Sequence, residues 1–194
     1  FILSSSPERF MKRNKKNIIS QPIKGTKKRG KTFKEDLFLV NSLKNSVKEK
    51  SENHMIVDLV RNDLSRIAKK GTVKVTELSK INTFKNIHQM VSTIEAQIEN
   101  EVFFSKILKS TFPMGSMTGA PKIKTMKIID EEEKTSRGIY SGAIGYINPY
   151  KNFDFNVVIR TIIYDDKLSK ISVNVGSGIT FKSDPEDEYE ECLT

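Results

Sequence analysis

The residue whose type and setting point most directly to covalent chemistry is Lys24, in the sequence Pro-Ile-Lys-Gly-Thr at residues 22–26. It stands between an apolar residue and a glycine at the end of a predicted strand, unlike the lysines in solvent-facing runs. A glycine allows another backbone or a ligand to approach closely. A lysine amine that has lost its proton is a nucleophile. Taken alone, the pattern more often marks one more surface lysine.

Three carboxylates are candidates for binding a cation. Glu188 and Glu191 are three residues apart in a predicted helix, so they share one face. Two neighbouring carboxylates repel each other unless a cation lies between them, and Mg²⁺ prefers such hard oxygen ligands. Glu52 stands at the start of another predicted helix, where the helix dipole alone favours a negative charge. Each position also fits a solvated helix end.

Two glycine-rich turns are candidates for binding an anion. They are Gly-Ser-Met-Thr-Gly at 115–119 and Gly-Ser-Gly-Ile at 176–179. Such turns expose backbone N–H groups that can hold a carboxylate or a phosphate. Neither turn fits the P-loop or the dinucleotide-binding pattern, so each is a weak signal by itself.

The charge of the chain is concentrated in its first quarter. The 194 residues have 33 Lys+Arg, 24 Asp+Glu and a net charge of +9. Residues 1–50 contain 14 basic and 4 acidic side chains. A basic excess raises nucleic acid as a partner, but only Phe10 and Phe33 flank the basic runs, whereas nucleic-acid binding usually adds aromatic residues for stacking. We therefore favour a solvated surface, with no nucleic-acid partner.

Cysteine content and hydropathy exclude further classes. The single cysteine, Cys192, excludes an internal disulfide and a multi-cysteine zinc site, and a cytoplasmic protein is the simplest expectation. No run approaches the roughly 18 apolar residues of a membrane span, so we expect no membrane partner. The chain opens in strand-like sequence without Met and closes where a helix begins at Pro185, so we expect part of a longer polypeptide.

Hydrophobic spacing predicts an alternation of helices and strands. The clearest helix covers 51–69 and stops before Gly71. Its apolar face consists of Met55, Ile56, Leu59, Val60, Leu64 and Ile67. Other helices are predicted over 34–48, 102–111 and 121–133, and strands over 1–13, 17–23, 72–84, 87–98, 139–147, 153–164 and 168–181. Helices interleaved with hairpin-like strands favour an α+β fold whose sheets are mainly antiparallel.

Taken in order, these segments resemble a known enzyme family. The motifs are residues 6–10, 22–26, 52–64, 91–93, 115–122, 142–146, 159–161 and 176–179, followed by Glu188 and Glu191. The series resembles the chorismate-binding catalytic domain shared by anthranilate synthase and aminodeoxychorismate synthase, component I. It covers nearly all of the chain and is weak only near 30–50, 130–137 and 148–153.

The resemblance carries expectations about the fold. It implies one chorismate-binding catalytic domain over 1–194, with two antiparallel sheets stacked around the active site and helices outside. Family members are longer, so a part before Phe1 and a short part after Thr194, which includes a further family lysine, are expected to be absent from this sequence.

Within the family, Lys24 points to the aminodeoxychorismate branch, because anthranilate synthases usually have alanine there. In the lysine enzymes the amine is thought to attack C2 of chorismate and expel the 4-hydroxyl group. Ammonia then attacks C4 and releases the lysine, which gives 4-amino-4-deoxychorismate, the precursor of 4-aminobenzoate and folate. The histidine linked to anthranilate formation directly precedes a Leu-Val-Ser-type triplet; here Gln89 precedes the triplet at 90–92, and His88 is one position earlier.

The resemblance also implies roles for the remaining site residues. Glu8 would be the general acid for the departing hydroxyl group, which requires a pKa raised toward neutrality. Glu52 and Glu191 would hold Mg²⁺ on the ring carboxylate of chorismate, and Glu188 would act directly or through a water. The substrate would be bound by Arg160, Tyr146, Thr118 and the backbone amides of Gly176, Ser177 and Gly178. Ammonia would come from a glutamine amidotransferase subunit or domain.

Several alternatives remain at this stage. Anthranilate synthase component I is the nearest, and an isochorismate- or salicylate-forming relative would activate water at another position of the ring. A basic RNA-binding module would show salt-dependent binding that chorismate does not affect. A regulatory remnant without activity is disfavoured by the presence of Lys24, Glu8, Glu52 and Glu191.

Overall fold

The chain folds into two antiparallel β-sheets, with helices packed mainly against the larger sheet. A computed structural model describes residues 1–181 and 183–193, without the side chain of Glu191. The strands are β1 (Ile2–Ser4), β2 (Arg9–Asn14), β3 (Asn17–Gln21), β4 (Ile23–Lys28), β5 (Lys74–Thr83), β6 (Ile87–Gln97), β7 (Ala143–Ile147), β8 (Phe153–Val157), β9 (Thr161–Asp165) and β10 (Lys170–Val173). The helices are α1 (Phe33–Asn45), α2 (Val47–Ser65), α3 (Phe104–Thr111), α4 (Lys122–Glu132) and α5 (Pro185–Leu193).

The larger sheet is built around β6, the longest strand. β3 and β4 follow one another along the same side of β6, which pairs with β5 on its other side. From β3 the sheet continues through β2 and β8 to β7. β2 and β3 form the predicted hairpin, with Asn14 opposite Asn17. The expectation of antiparallel sheets is confirmed.

Helix α2 supplies much of the core beneath this sheet. Its predicted apolar face is confirmed, since Ile56, Val60 and Leu64 are buried against Ile18 and Ile94 of the sheet. Burying such side chains stabilises the fold by roughly 1.5–3 kcal/mol each. The helix begins earlier than predicted, at Val47, because Ser46 caps it by accepting a hydrogen bond from the N–H of Glu49.

The smaller sheet, in the order β1-β9-β10, is joined to the larger one by two segments that run side by side. Residues 5–8 lead from β1 to β2, and residues 158–160 lead from β8 to β9. Ser5 N–H donates to the carbonyl of Arg160 at 3.1 Å, and Val157 N–H donates to the carbonyl of Glu8 at 3.0 Å. Glu8 and Arg160 therefore lie together where the chain passes between the sheets.

Several strand predictions were wrong in extent. The run over 1–13 divides into β1 in the smaller sheet and β2 in the larger one, and the run over 139–147 contributes only β7. The run over 153–164 is interrupted after β8, and its second half pairs in the other sheet as β9. Arg160, at the change of direction, has a φ of 49°. The run over 168–181 contributes only β10, and residues 174–180 are irregular. Apolar alternation marks a half-buried strand but does not indicate which sheet it joins. Within the described residues, no helix combines the length and apolar content that a bilayer span requires.

The core packing predicts a large effect of truncating Leu64, which is fully buried in the α2 face. A Leu64→Ala substitution should lower the free energy of unfolding by about 2–5 kcal/mol, because it removes apolar contacts and leaves a cavity. Urea denaturation measures the change. Leu37→Ala in α1, where the side chain is 51% exposed, is the matched control and should have a much smaller effect. Equal losses in the two variants would contradict the assignment of α2 to the core.

Candidate active site

Lys24 is directed by a bulge in β4. Ile23 pairs with Val91 and Thr26 pairs with Gln89, so three steps along β4 match two steps along β6. The extra residue falls at the Lys24–Gly25 pair, where Gly25 has a φ of 82° that L side chains rarely adopt. Bulges often re-aim a side chain beside an active site. Glycine is therefore required next to Lys24 by the backbone itself.

The amine of Lys24 faces a carboxylate from α2. Its Nζ lies 3.9 Å from Oε2 of Glu52, and both side chains are largely buried, with 19% and 11% of their surfaces exposed. Burial raises the pKa of Glu52, and the nearby Lys24 opposes that rise. Because α2 begins at Val47, Glu52 lies in the second turn and not at the helix start that the sequence predicted. Oε1 of Glu52 is buried and has no hydrogen-bond partner among the described residues.

Glu8 is a buried carboxyl group at the junction of the two sheets. The residue is 5% exposed. Burial raises its pKa from 4.5 to about 7, although Lys24 and Arg160 are close enough to lower it in part. A carboxyl group in this state can carry a proton near neutrality and release it, as a general acid must.

Ser116 is a neighbour of Glu8 that the sequence analysis did not single out. It lies in a short 3₁₀ turn at Gly115–Met117 and lowers the pKa of the Glu8 carboxyl. Its buried hydroxyl group makes no hydrogen bond of good geometry in the described part of the chain, so the interaction with Glu8 is a loose one. The glycine-rich turn at 115–119 was the sequence feature that could have pointed to Ser116, but the spacing of its residues does not indicate that the turn lies near Glu8.

The second glycine-rich segment passes directly over the Lys24 amine. A Cβ atom placed on Gly178 would lie 3.1 Å from Nζ of Lys24 and 3.8 Å from Oε2 of Glu52. At Gly176 the same atom would lie 2.7 Å from Oη of Tyr140. Side chains at either glycine would crowd the site, so these positions keep the backbone close to the two charged groups.

Glu188 comes from α5 and joins the site through hydrogen bonds. Lys48 Nζ donates to its Oε1 at 2.6 Å, and Ser177 donates to its Oε2. Burial by itself would raise the pKa of Glu188, but these hydrogen bonds outweigh it and lower the pKa to about 2. Glu188 is therefore an anion at neutral pH, which distinguishes it from Glu8. Lys48 was also missed by the sequence analysis, since it looked like one more charge on a helix surface.

The predicted metal ligands are only partly described. The side chain of Glu191 lies outside the described residues. Among the side chains that the structure does describe, no cluster of three or more His, Cys, Asp or Glu residues is arranged for a metal ion. The buried, unpartnered Oε1 of Glu52 nevertheless fits a cation, because a carboxylate oxygen withdrawn from water needs a positive charge or a donor.

The three remaining predicted site residues are placed differently. The guanidinium of Arg160 is close enough to affect Glu8, although the residue is exposed. Thr118 donates its hydroxyl group to the backbone, at 3.1 Å from the carbonyl of Met114. Tyr146 on β7 is 64% exposed and lines a shallow depression with Ser4, Ser6 and Asp154, and Lys24 is not among the residues that line it.

His88 and Gln89 point to opposite faces of β6, as neighbouring strand residues do. His88 is fully buried, with Nε2 at 2.8 Å from Oδ1 of Asp36 and Nδ1 at 2.9 Å from Oγ1 of Thr83. Gln89 is also buried, and its Oε1 has no partner among the described residues. The histidine is thus engaged with α1 and β5, and the glutamine occupies the face where the triplet pattern places a histidine.

The whole chain, residues 1–194, matches the family described as chorismate binding enzyme. The protein belongs to the chorismate binding enzyme family. The chloroplastic aminodeoxychorismate synthase of Arabidopsis thaliana is 45% identical over 193 residues, which are 99% of this chain and 21% of that protein. Aminodeoxychorismate synthase component 1 of Escherichia coli is 44% identical over 99% of this chain and 42% of its own length. Anthranilate synthase component 1 of Aquifex aeolicus is 40% identical over 99% of this chain and 38% of its own.

Two solved structures support the fold. Anthranilate synthase component I from Streptococcus pneumoniae superposes with a TM-score of 0.82 at 32% identity, over 99% of this chain and 42% of that one. The menaquinone-specific isochorismate synthase from Escherichia coli has a TM-score of 0.86 at 23% identity, over 99% of this chain and 43% of that one, and shows the shared fold. The chain spans less than half the length of each of these proteins.

Glu8 is expected to make the protein less stable as the pH rises. Its pKa is about 7 in the folded protein against 4.5 for an unperturbed glutamate. Its contribution to stability is therefore complete below pH 4.5 and is lost as the pH rises through 7, because the folded state holds the proton longer. Between these limits the wild type should lose up to about 3 kcal/mol of unfolding free energy relative to Glu8→Gln. Urea denaturation across this range measures the difference.

A matched control is Glu99→Gln, where the glutamate side chain is 58% exposed. This variant should follow the pH dependence of the wild type. Parallel pH dependences of the wild type and Glu8→Gln would show that Glu8 titrates as an ordinary surface carboxylate.

Proposed function

We propose that the protein is the chorismate-binding part of an aminodeoxychorismate synthase, component I, which converts chorismate and ammonia to 4-amino-4-deoxychorismate and water. The observation that carries this proposal is the amine of the largely buried Lys24 side chain, which faces Glu52 and lies close to the backbone at Gly178. Relatives named aminodeoxychorismate synthase, at 44–45% identity, support it. The product is a precursor of 4-aminobenzoate and folate.

Lys24 is the proposed nucleophile. Its neutral amine would form a bond to C2 of chorismate, the ring double bonds would shift, and the C4–O bond would break. The buried, protonated carboxyl group of Glu8 would transfer its proton to the departing hydroxyl group, which leaves as water. Ammonia would then bond to C4 as the double bonds shift back and the C2–N bond to Lys24 breaks. The bulge at Lys24–Gly25 supports this role, because it falls at the position where the Lys24 amine meets Glu52.

The two carboxylates of chorismate would be bound by backbone and cationic groups. Arg160 is one candidate, since a guanidinium binds a carboxylate through two parallel hydrogen bonds. The amides of Gly176, Ser177 and Gly178 are the other, on the segment that passes over Lys24. Tyr146 and Thr118 remain proposed substrate contacts.

The proposed cofactor is Mg²⁺, held by Glu52, Glu188 and Glu191. When bound, the ion would polarise the ring carboxylate and favour attack at C2. The unpartnered oxygen of Glu52 and the anionic state of Glu188 support this ligand set. Lys48 already forms an ion pair with Glu188. The Lys48 ammonium group would therefore have to share the Glu188 carboxylate with the ion or move away from that carboxylate.

Ammonia is proposed to come from a glutamine amidotransferase, as a separate subunit or a fused domain. The designation component 1 on the Escherichia coli relative supports a second component. The excess of basic residues before residue 50 is proposed to attract the dianionic substrate, and no nucleic acid is needed to account for it.

Replacing Lys24 with alanine in the full-length enzyme should abolish 4-amino-4-deoxychorismate formation, because no other amine would occupy the position of the nucleophile. The assay supplies chorismate, Mg²⁺ and an ammonium salt, and separates the products by chromatography. Lys28→Ala on the same strand, where the lysine is exposed, is the control and should retain activity. Unchanged turnover in Lys24→Ala would show that Lys24 is not the nucleophile. If the wild type instead forms anthranilate, isochorismate or salicylate, the proposed function is wrong.

Removing the metal should stop the reaction reversibly. Excess chelator should abolish product formation, and added Mg²⁺ should restore it. Glu52→Gln should weaken Mg²⁺ binding at least about tenfold in calorimetric titration, because it removes a charged oxygen from the ion. Asp58→Asn, at a position on α2 whose side chain is 73% exposed, should bind Mg²⁺ as the wild type does. Full activity in chelator would exclude Mg²⁺ as the cofactor.

A further inference from the structure

Lys48 balances the charge of a buried carboxylate from a distant part of the chain. Its Nζ donates to Oε1 of Glu188 at 2.6 Å, although the two residues are 140 positions apart in the sequence. The side chain of Glu188 is only 4% exposed, whereas that of Lys48 is 37% exposed. The anion is therefore withdrawn from water, while the cation that pairs with it remains in contact with solvent.

The position of Lys48 in α2 is unfavourable for a positive charge. The helix begins at Val47, so Lys48 lies in the first turn, where the helix dipole repels a cation. An acidic residue is preferred there, and Glu49 of the same turn is one. The ion pair with Glu188 offsets this repulsion. Movement of the ammonium group out to solvent would relieve it, so the helix itself does not hold the lysine in place.

Glu188 is held on the face of α2 that carries Glu52. Lys48 and Glu52 are four residues apart on the helix, a spacing that places two side chains on one face. The irregular segment supports this arrangement, because Ser177 donates to Oε2 of Glu188. A Cβ atom on the next residue, Gly178, would lie 3.8 Å from Oε2 of Glu52. Lys48 therefore pairs with one proposed Mg²⁺ ligand on the helix face that carries another.

Both oxygens of the Glu188 carboxylate already accept hydrogen bonds. Lys48 donates to Oε1 and Ser177 donates to Oε2. A metal ion bound to this carboxylate would stand a few ångström from the ammonium group, and two cations that close repel each other. The Ser177 hydroxyl group is neutral and is not repelled in this way. The lysine has a flexible four-carbon stem that already reaches solvent, so Lys48 is the donor that would move.

We propose that Lys48 is a displaceable counter-ion, whose ammonium group pairs with Glu188 when no Mg²⁺ is bound and moves out to solvent when the ion binds. The proposal rests on the Mg²⁺ site of the proposed function, but not on the identity of the reaction product. Lys48 and Glu52 lie on α2, and Glu188 lies on α5, so either cation would join the same two helices. The buried carboxylate of Glu188 would then always have a positive partner, without which its burial is costly.

Amine labelling of the full-length wild type tests the displacement directly. The protein is treated briefly with an acylating reagent, in excess chelator or in saturating Mg²⁺, and labelled lysines are identified by mass spectrometry. The hydrogen bond to Glu188 raises the pKa of Lys48, and only a neutral amine is acylated. Lys48 should therefore react at least about fivefold faster in Mg²⁺, where that bond is broken.

The control in this experiment is Lys44, an exposed lysine in the last turn of α1. It should react at the same rate in chelator and in Mg²⁺. An unchanged or slower reaction of Lys48 in Mg²⁺ would show that its ammonium group stays on the carboxylate, and would overturn the proposal.

Calorimetric titration with Mg²⁺ supplies a second measurement. Lys48→Met removes the competing cation and keeps an unbranched side chain, so it should bind Mg²⁺ about tenfold more tightly than the wild type. Lys48→Arg keeps the charge and should bind Mg²⁺ within about threefold of the wild type. Lys44→Met removes an equal charge from an exposed position and should bind as the wild type does. Equal affinities in Lys48→Met and Lys44→Met would contradict the displacement.

Urea denaturation separates displacement from a purely structural ion pair. In chelator, Lys48→Met should unfold at lower urea concentration than Lys44→Met, because Glu188 loses its positive partner. In saturating Mg²⁺ this difference should disappear, because the ion supplies the charge and Lys48 no longer contributes. A difference that persists unchanged in Mg²⁺ would mean that Lys48 still pairs with Glu188, and the proposal would be wrong.

The outcome for Lys48 is distinguishable from the outcome for the proposed function, because none of these measurements uses chorismate. If the wild type binds Mg²⁺ but forms a product other than 4-amino-4-deoxychorismate, the function fails and the labelling still decides the role of Lys48. If the expected product forms and Lys48 reacts equally with and without Mg²⁺, only the displacement fails. A wild type that binds no Mg²⁺ would overturn both the cofactor and the displacement.

Discussion

The site depends on one irregularity in the larger sheet, the bulge at Lys24–Gly25 in β4. In a regular strand, alternation would fix the direction of Lys24 by its register with β6. The extra residue shifts Lys24 out of that register. Gly25 has a positive φ, which a glycine adopts without strain, so the backbone can form the bulge. The amine then meets Glu52 from α2 beneath the backbone at Gly178. Strand β4, helix α2 and the irregular segment 174–180 thus lie next to one another at the Lys24 ammonium group.

Two glutamates in this region show how environment divides identical side chains into different roles. Glu8 lies where the chain crosses between sheets, and burial raises its pKa to about 7. Glu188 is as well buried, but Lys48 and Ser177 donate to it and lower its pKa to about 2. The first can deliver a proton at neutral pH, and the second remains an anion. Such a separation of pKa values is a common basis for assigning an acid and a charged ligand.

Much of the fold followed from local signals. The apolar face of α2, the β2–β3 hairpin and the starts of α4 and α5 agree with the spacing, because core burial and a proline at a helix start act over a few residues. The run at 153–164 could not be read as two strands of different sheets, since alternation looks the same in both. The start of α2 was misplaced because the cap at Ser46 lies within an unbroken helical pattern.

The sequence by itself determined the residue types available for chemistry and, through the order of its motifs, the family. It also led to two predictions: that Lys24 is a nucleophile and, through the family resemblance, that Glu8 is a general acid. Only the tertiary structure decided that Glu8 and Arg160 meet where the chain passes between the two sheets, that Lys48 faces Glu188, and that Lys122 pairs with Asp63 of α2. These residues are distant along the chain, and the loss of water that shifts a pKa arises only when the fold brings them together.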